Sequence, residues 1–134
     1  MSIATTADVV AMFRSLTVEE TTVASRLLRV AEADLASKVV ALRERFTAAQ
    51  AALVEDPADE TAADFVELAT ATVCAPVIRV LRNPDGIRQL SIDDGSYTRD
   101  QALSSGILRF EPDEVNRLQP SVALGGAYVI GLGG

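Results

Sequence analysis

"TVEETTVASRLLRVAEADLASKVVALRERF", residues 17–46, is the stretch that decides the fold. Val23, Leu27, Ala31, Leu35, Val39, Leu42 and Phe46 recur at steps of four, four, four, four, three and four, which puts them on one face of a helix. Thr17, with Glu20 three residues on, forms a capping box that starts it. No Gly or Pro occurs between Thr17 and Asp56. Spacing alone therefore fits either one helix running to Val54 or two; the expectation is two helices with a bend near Val39 and Val40.

Upstream, Thr6 precedes "ADVVAMFR", where Val9, Val10 and Phe13 have helical spacing. A short first helix capped by Thr6 and ending near Arg14 is expected, packed as a lid on the next. Downstream, "EDPADETAADFVE", residues 55–67, carries six acids and no base. Pro57 acts as a breaker there, and Thr61 to Asp64 reads as a second capping box. From about Ala62 to Leu81 a third long element presents Phe65, Leu68, Ala69, Thr72, Val73, Val77, Val80 and Leu81 as a broad apolar face. Pro76 lies inside it. A proline there removes a hydrogen bond and crowds the Thr72 carbonyl at a cost of ~3 kcal/mol, so a kink or break between Thr72 and Pro76 is expected.

The helix ends in "RVLRNPDG", residues 79–86, where Asn83-Pro84-Asp85-Gly86 has the preferences of a type I turn. Arg79 and Arg82 fall in the last turn. They are expected to face solvent and the negative end of the helix dipole. After the stop, "IRQLSIDDGSYTRD" alternates around Leu90 and Ile92 and turns at Asp94-Gly95, which predicts a β-hairpin or extended loop over about 87–109. "FEPDEVNRL", residues 110–118, restarts a short helix with Pro112 in its first turn.

Composition agrees with a mainly α fold. The 134 residues suit one domain, and 49% are apolar with only 4% aromatic, which favours close helix packing in a small bundle. Nineteen acids against twelve bases leave a net charge of −7, so there is no global attraction for phosphate, and specific nucleic-acid binding is not expected. The first residues do not read as an export signal, and no apolar stretch approaches the ~20 residues of a membrane span, so a soluble protein is expected.

The chemistry-bearing residues are few. There is no histidine, and Cys74 is the single cysteine. Zinc sites and Ser-His-Asp or Cys-His catalysis are excluded on that ground. Cys74, between Val73 and Ala75 on an apolar face, reads as a core residue. Asp93 and Asp94 fail the calcium-loop template, because Leu90 stands five positions before Gly95. The terminal "GLGG" has no following helix to receive a phosphate. The pairs Asp59-Glu60, Asp93-Asp94 and Asp113-Glu114 sit at expected helix starts or turns, where acids have structural reasons to be. No cofactor, metal or enzymatic activity is expected.

The final fourteen residues, "SVALGGAYVIGLGG", hold no charge and five of the eight glycines. Val122, Leu124, Tyr128, Val129, Ile130 and Leu132 would leave apolar, strand-prone surface in water, so something must cover them. Extended, this segment reaches roughly 46–50 Å, against a radius of gyration of about 14 Å for a compact chain of this length. The favoured reading is an arm, 121–134, that docks into another chain by strand addition or groove filling. The other is a last strand or packed tail within its own domain, residues 1–120 forming the helical body either way.

In sequence, "ATTADVVAMFRSLTVEE", a long helix, "VIRVLRNPDGIRQLSIDDGSYT" and "SGILRFEPDEVNRL" resemble the head-to-tail connector, or neck adaptor, family of long-tailed actinobacterial phages. The likeness covers about residues 3–118, with "RVLRNPDG" its specific part. Residues 39–60 and Pro76 depart from the family pattern. The resemblance implies a small helical protein without enzymatic activity. It would form a homo-oligomeric ring, commonly a dodecamer, beneath the portal protein and against a downstream neck or tail-completion protein, with DNA only passing through the channel. It implies a place in the virion neck after assembly in the host cytoplasm. The apolar arm would dock on the portal, and the excursion, with Asp93, Asp94, Tyr97 and Asp100, would face the channel or neighbouring neck components. Arg79 and Arg82 would pair across the ring with Asp64 or Glu67. Acids of 55–67 or 93–100 would make the channel wall repel DNA within a Debye length of ~8 Å. The alternative is a small acidic helical interaction module of the cytoplasm, antitoxin-like or partner-binding, that forms no ring.

Overall fold

The computed structural model describes residues 2–83 and 108–120. They form five helices, α1 (Thr6–Met12), α2 (Val18–Lys38), α3 (Leu42–Glu55), α4 (Glu60–Leu81) and α5 (Pro112–Leu118), with no strand among the described residues. The hairpin expected over about 87–109 lies outside them except for Leu108 and Arg109, and the arm 121–134 lies outside them entirely.

The anticipated apolar series of residues 17–46 is the core. Val23, Leu27, Ala31, Leu35, Val39, Leu42 and Phe46 are all buried. They pack with Val9 of α1, with Ala69, Val73, Val77, Val80 and Leu81 of α4, and with Leu108, Phe110 and Leu118 near and within α5. Helix α4 is the hub, touching each of the other four. Ala69 and Cys74, small and fully buried, let its neighbours come close.

Local chemistry explains the boundaries. The box at Thr17 forms as expected: the Glu20 amide donates to Thr17 Oγ1 at 3.1 Å, and the Thr17 amide to Glu20 Oε1 at 3.0 Å. Helix α1 is capped one residue earlier than the sequence suggested. Thr5 is the cap, because Asp8 three residues on can accept its amide at 2.8 Å, and the helix stops at Met12. Helix α4 also starts early, since Asp59 and not Thr61 is the cap, its Oδ1 accepting from the Ala62 amide at 3.1 Å. Asp56 sets up that start by accepting from Ala58 at 3.1 Å in the turn through Pro57.

Two helices with a bend is the outcome for residues 17–54. The joint is Val39-Val40-Ala41, with Val39 extended and Ala41 left-handed at φ 50°. A left-handed alanine costs about 1–2 kcal/mol, and the contacts that hold it come from far along the chain. Gln119 Oε1 accepts from the Val40 amide at 3.1 Å, and Gln119 Nε2 donates to the Lys38 carbonyl at 2.7 Å. Arg45 Nη1 reaches both the Val40 carbonyl at 3.1 Å and the Leu118 carbonyl at 2.7 Å. The end of α5 is thereby bolted to the α2–α3 joint.

The break expected before Pro76 is absent, for α4 runs continuously through it. Pro76 is buried between the fully buried Val73 and Val77, so packing on both sides holds the helix course across the missing hydrogen bond. The hydroxyl of Thr72 donates to the Leu68 carbonyl at 2.7 Å, which satisfies that buried polar group one turn earlier.

Candidate functional site

The chemically distinctive parts of the described chain are a clamp at the end of α4, a cleft beside the N-terminus, and two charged faces. The clamp comes first. Arg79 leaves the last turn of α4 and forks onto Glu114 of α5, with Nη1 to Oε2 and Nη2 to Oε1 both at 2.9 Å. The same Nη2 donates to the Arg109 carbonyl at 2.7 Å. Glu114 also accepts from the Glu111 amide at 2.8 Å. Burial alone would raise the Glu114 carboxyl, but the hydrogen bonds from Arg79 and Glu111, with the charges of Arg79 and Arg117, outweigh it and hold the group below its ordinary value. The clamp thus joins the residues just before 84 to those just after 107.

Arg82, one turn-step further, stacks its guanidinium 5.4 Å from the centre of the Phe13 ring, which Arg14 also approaches at 4.5 Å. Arg14 in turn forks onto Glu20 at 3.0 and 2.9 Å. That fork, followed by the Thr17 amide, pushes the Glu20 carboxyl down to about 2.

Beside the N-terminus, Glu32 is buried and accepts from the Ile3 amide at 2.7 Å and from Arg43 Nε at 3.3 Å. Thr70 Oγ1 donates to the Ile3 carbonyl at 3.1 Å, so both backbone groups of Ile3 are tied down. A cleft of about 490 Å³ opens next to this tether, lined by Thr5, Thr6, Ser25, Arg29, Glu32 and Arg43 among others. A second, of about 680 Å³, continues along α2 past Thr21, Thr22, Arg26 and Val30.

Cys74 is fully buried, and desolvation, with a small addition from the Asp8 charge, pushes its thiol up to about 12. It is an inert core residue at neutral pH. No group of three or more metal-ligating side chains occurs among the described residues. No described helix is long and apolar enough to cross a membrane.

Of the positions singled out by sequence, Arg79 is engaged within its own chain by Glu114 while its side chain stays partly in solvent. Arg82 is exposed on Phe13, and Asp64 and Glu67 are exposed on α4. The structure does not bring Arg79 and Arg82 to Asp64 and Glu67 within one subunit. Asp93, Asp94, Tyr97 and Asp100 lie outside the described residues, as do Val122, Leu124, Tyr128, Val129, Ile130 and Leu132. Sequence reading missed Glu114 as the partner of Arg79 and Gln119 as the lock on the joint. It also missed Arg26 and Arg29 as a basic face. No family model, curated protein or solved structure matches the chain.

Proposed function

We propose that this chain is a structural connector of a phage neck, a subunit of a ring that joins the portal to downstream neck or tail components. The observation that carries the reading is the clamp. In the motif "RVLRNPDG" the first arginine draws Glu114 and the Arg109 carbonyl to the end of α4, so the segment 84–107 starts and finishes at one fixed point of a helical body. An adaptor needs a stiff frame that offers recognition segments to other rings, and this frame offers two. The second leaves from Pro120, next to the joint locked by Gln119, and carries the uncharged sequence 121–134.

The acidic balance supports the same role. A wall with −7 per copy repels phosphate, and acids such as Glu55 and Asp56, exposed at the α3–α4 corner, would keep a DNA channel slippery. In this reading the ring has about a dozen copies, the portal receives the arm, and the assembly resides in the virion neck.

Native mass spectrometry of the purified chain with the portal ring of its phage tests the proposal. The expected result is a complex in which several copies bind one portal ring, and in which removal of residues 121–134 abolishes attachment while circular dichroism keeps its helical signal. Absence of a complex with the full-length chain would refute it, leaving a small acidic interaction module as the better description.

A further inference from the structure

Among the described charges without an ion pair, two sets of opposite sign stand on separate helices. On α2 and its neighbours, Glu20 is taken by Arg14, Glu32 by Arg43 and Asp34 by Lys38. Arg26 and Arg29 are left, exposed and without an ion pair among the described residues, beside Ser25, Thr21, Thr22 and Val30 on the long cleft of α2. No acid stands between Glu20 and Glu32. On the first turns of α4, Glu60, Asp64 and Glu67 are exposed and unpaired among the described residues, and no base occurs from 55 to 67.

The two faces also match in spacing. Arg26 and Arg29 are three residues apart on one helix, and Asp64 and Glu67 are three apart on another. Residues at that separation are surface neighbours about 5–6 Å apart, so two such helices lying side by side set two cations against two anions. We propose that these faces are the two halves of one contact between copies of this chain, Arg26 and Arg29 of one seated on Asp64 and Glu67 of the next.

The signs exclude pairing of like faces. A two-fold pairing of α2 faces would oppose arginine to arginine, and of α4 faces acid to acid. The contact therefore sets α2 of one copy on α4 of another, and made head-to-tail it leaves each copy with one free face of each kind and propagates until a ring closes. Exposed ion pairs add little affinity, so these select orientation, and closure of the ring turns each later contact into an intramolecular one. The contact deepens the ring reading above and rests on it only for that closure. It also supplies Asp64 and Glu67 with partners, in place of the Arg79 that Glu114 occupies.

Cross-linking of variants that each carry one added cysteine tests the contact, because buried Cys74 stays silent. Ser25→Cys reports the basic face, and Thr61→Cys or Ala71→Cys the acidic one, all at exposed positions that leave every charge intact. Mixed at low salt with a short bismaleimide, Ser25→Cys is expected to cross-link to one of the α4 variants, the favoured one giving the helix direction, and not to itself. The yield should drop about tenfold with Arg26→Glu and Arg29→Glu or in about 1 M salt. It should return when the partner carries Asp64→Arg and Glu67→Arg. Failure of the mixed cross-link, predominance of the Ser25→Cys homodimer, or a yield indifferent to charge reversal overturns the contact. A cross-link that behaves as stated while the chain binds no portal ring sinks the neck reading alone. A portal-bound ring unaffected by Arg26→Glu and Arg29→Glu sinks this surface alone.

Discussion

Replacing Arg79 by alanine removes three donor contacts at once, two to Glu114 and one to the Arg109 carbonyl. The Glu114 side chain is 10% exposed and Arg79 39%. The pair is therefore neither a surface bridge, worth about 0–1 kcal/mol, nor a buried one, whose breaking costs about 3–5 kcal/mol. Charged hydrogen bonds of this kind contribute about 1.5–3 kcal/mol, and about 2 kcal/mol is the expected loss after solvent screening at the arginine end. For a chain of this size that lowers the melting temperature by roughly 8 °C.

The sign of the pH dependence makes the assay sharper. Glu114 is held below its ordinary value when folded, so its contribution is present above the unfolded carboxyl value of about 4.3 and is lost as pH falls through the folded value. In Arg79→Ala the burial that opposes ionisation acts with less to offset it, so the variant is most impaired at neutrality and recovers on protonation. Melting curves of both proteins should show the gap present at neutrality and narrowing as pH falls below about 4.3 through the folded value of Glu114. Arg79→Lys, which keeps the charge and loses the fork, should fall between them. A melting temperature for Arg79→Ala within the error of wild type at neutrality, or a gap that widens on acidification, would refute the clamp.

Other outcomes follow from the same geometry. Ala41→Gly should raise the urea midpoint by an amount equivalent to about 0.5–1 kcal/mol, since glycine adopts φ 50° without the side-chain crowding; a lowered midpoint would count against a strained joint. Phe46→Ala, at the fully buried end of the anticipated stripe, should cost about 3–5 kcal/mol by denaturant titration. Cys74 should resist a disulfide reagent in the native protein near pH 8, with its thiol up at about 12, and react promptly once urea unfolds the chain.

What the sequence made legible was local. The stripe from Val23 to Phe46, the box at Thr17, the start of α5 at Pro112 and the burial of Cys74 each depend on neighbours within a few positions, and periodicity or capping chemistry exposes them. The errors at the starts of α1 and α4 are of the same local kind. Two residues within a few positions could cap each helix, Thr5 or Thr6 for α1 and Asp59 or Thr61 for α4, and the better-placed acceptor won. The continuity of α4 through Pro76 was not legible, because the local cost of a proline is visible in sequence while the packing of Val73 and Val77 on both sides is not. The bend falls at Val39-Val40, where the sequence suggests it, yet its cause, Gln119, lies 79 residues from Val40.

The charged faces were hidden for a related reason. Arg26 and Arg29 lie within a helix whose apolar pattern is complete, and any exposed helix face carries bases, so nothing in the one-dimensional pattern singles them out. They stand apart only after partners have been assigned in space. Arg14 reaches Glu20 six residues on, Arg43 reaches back eleven to Glu32, and Arg79 reaches forward thirty-five to Glu114. Each assignment removes a cation from the set available to another molecule. In a chain of net charge −7, copies repel one another at long range, and association needs a local patch of the opposite sign. The two arginines that remain on α2, set against an acidic stretch with no base of its own, are such a patch, and their three-residue spacing is repeated by the acids they would meet.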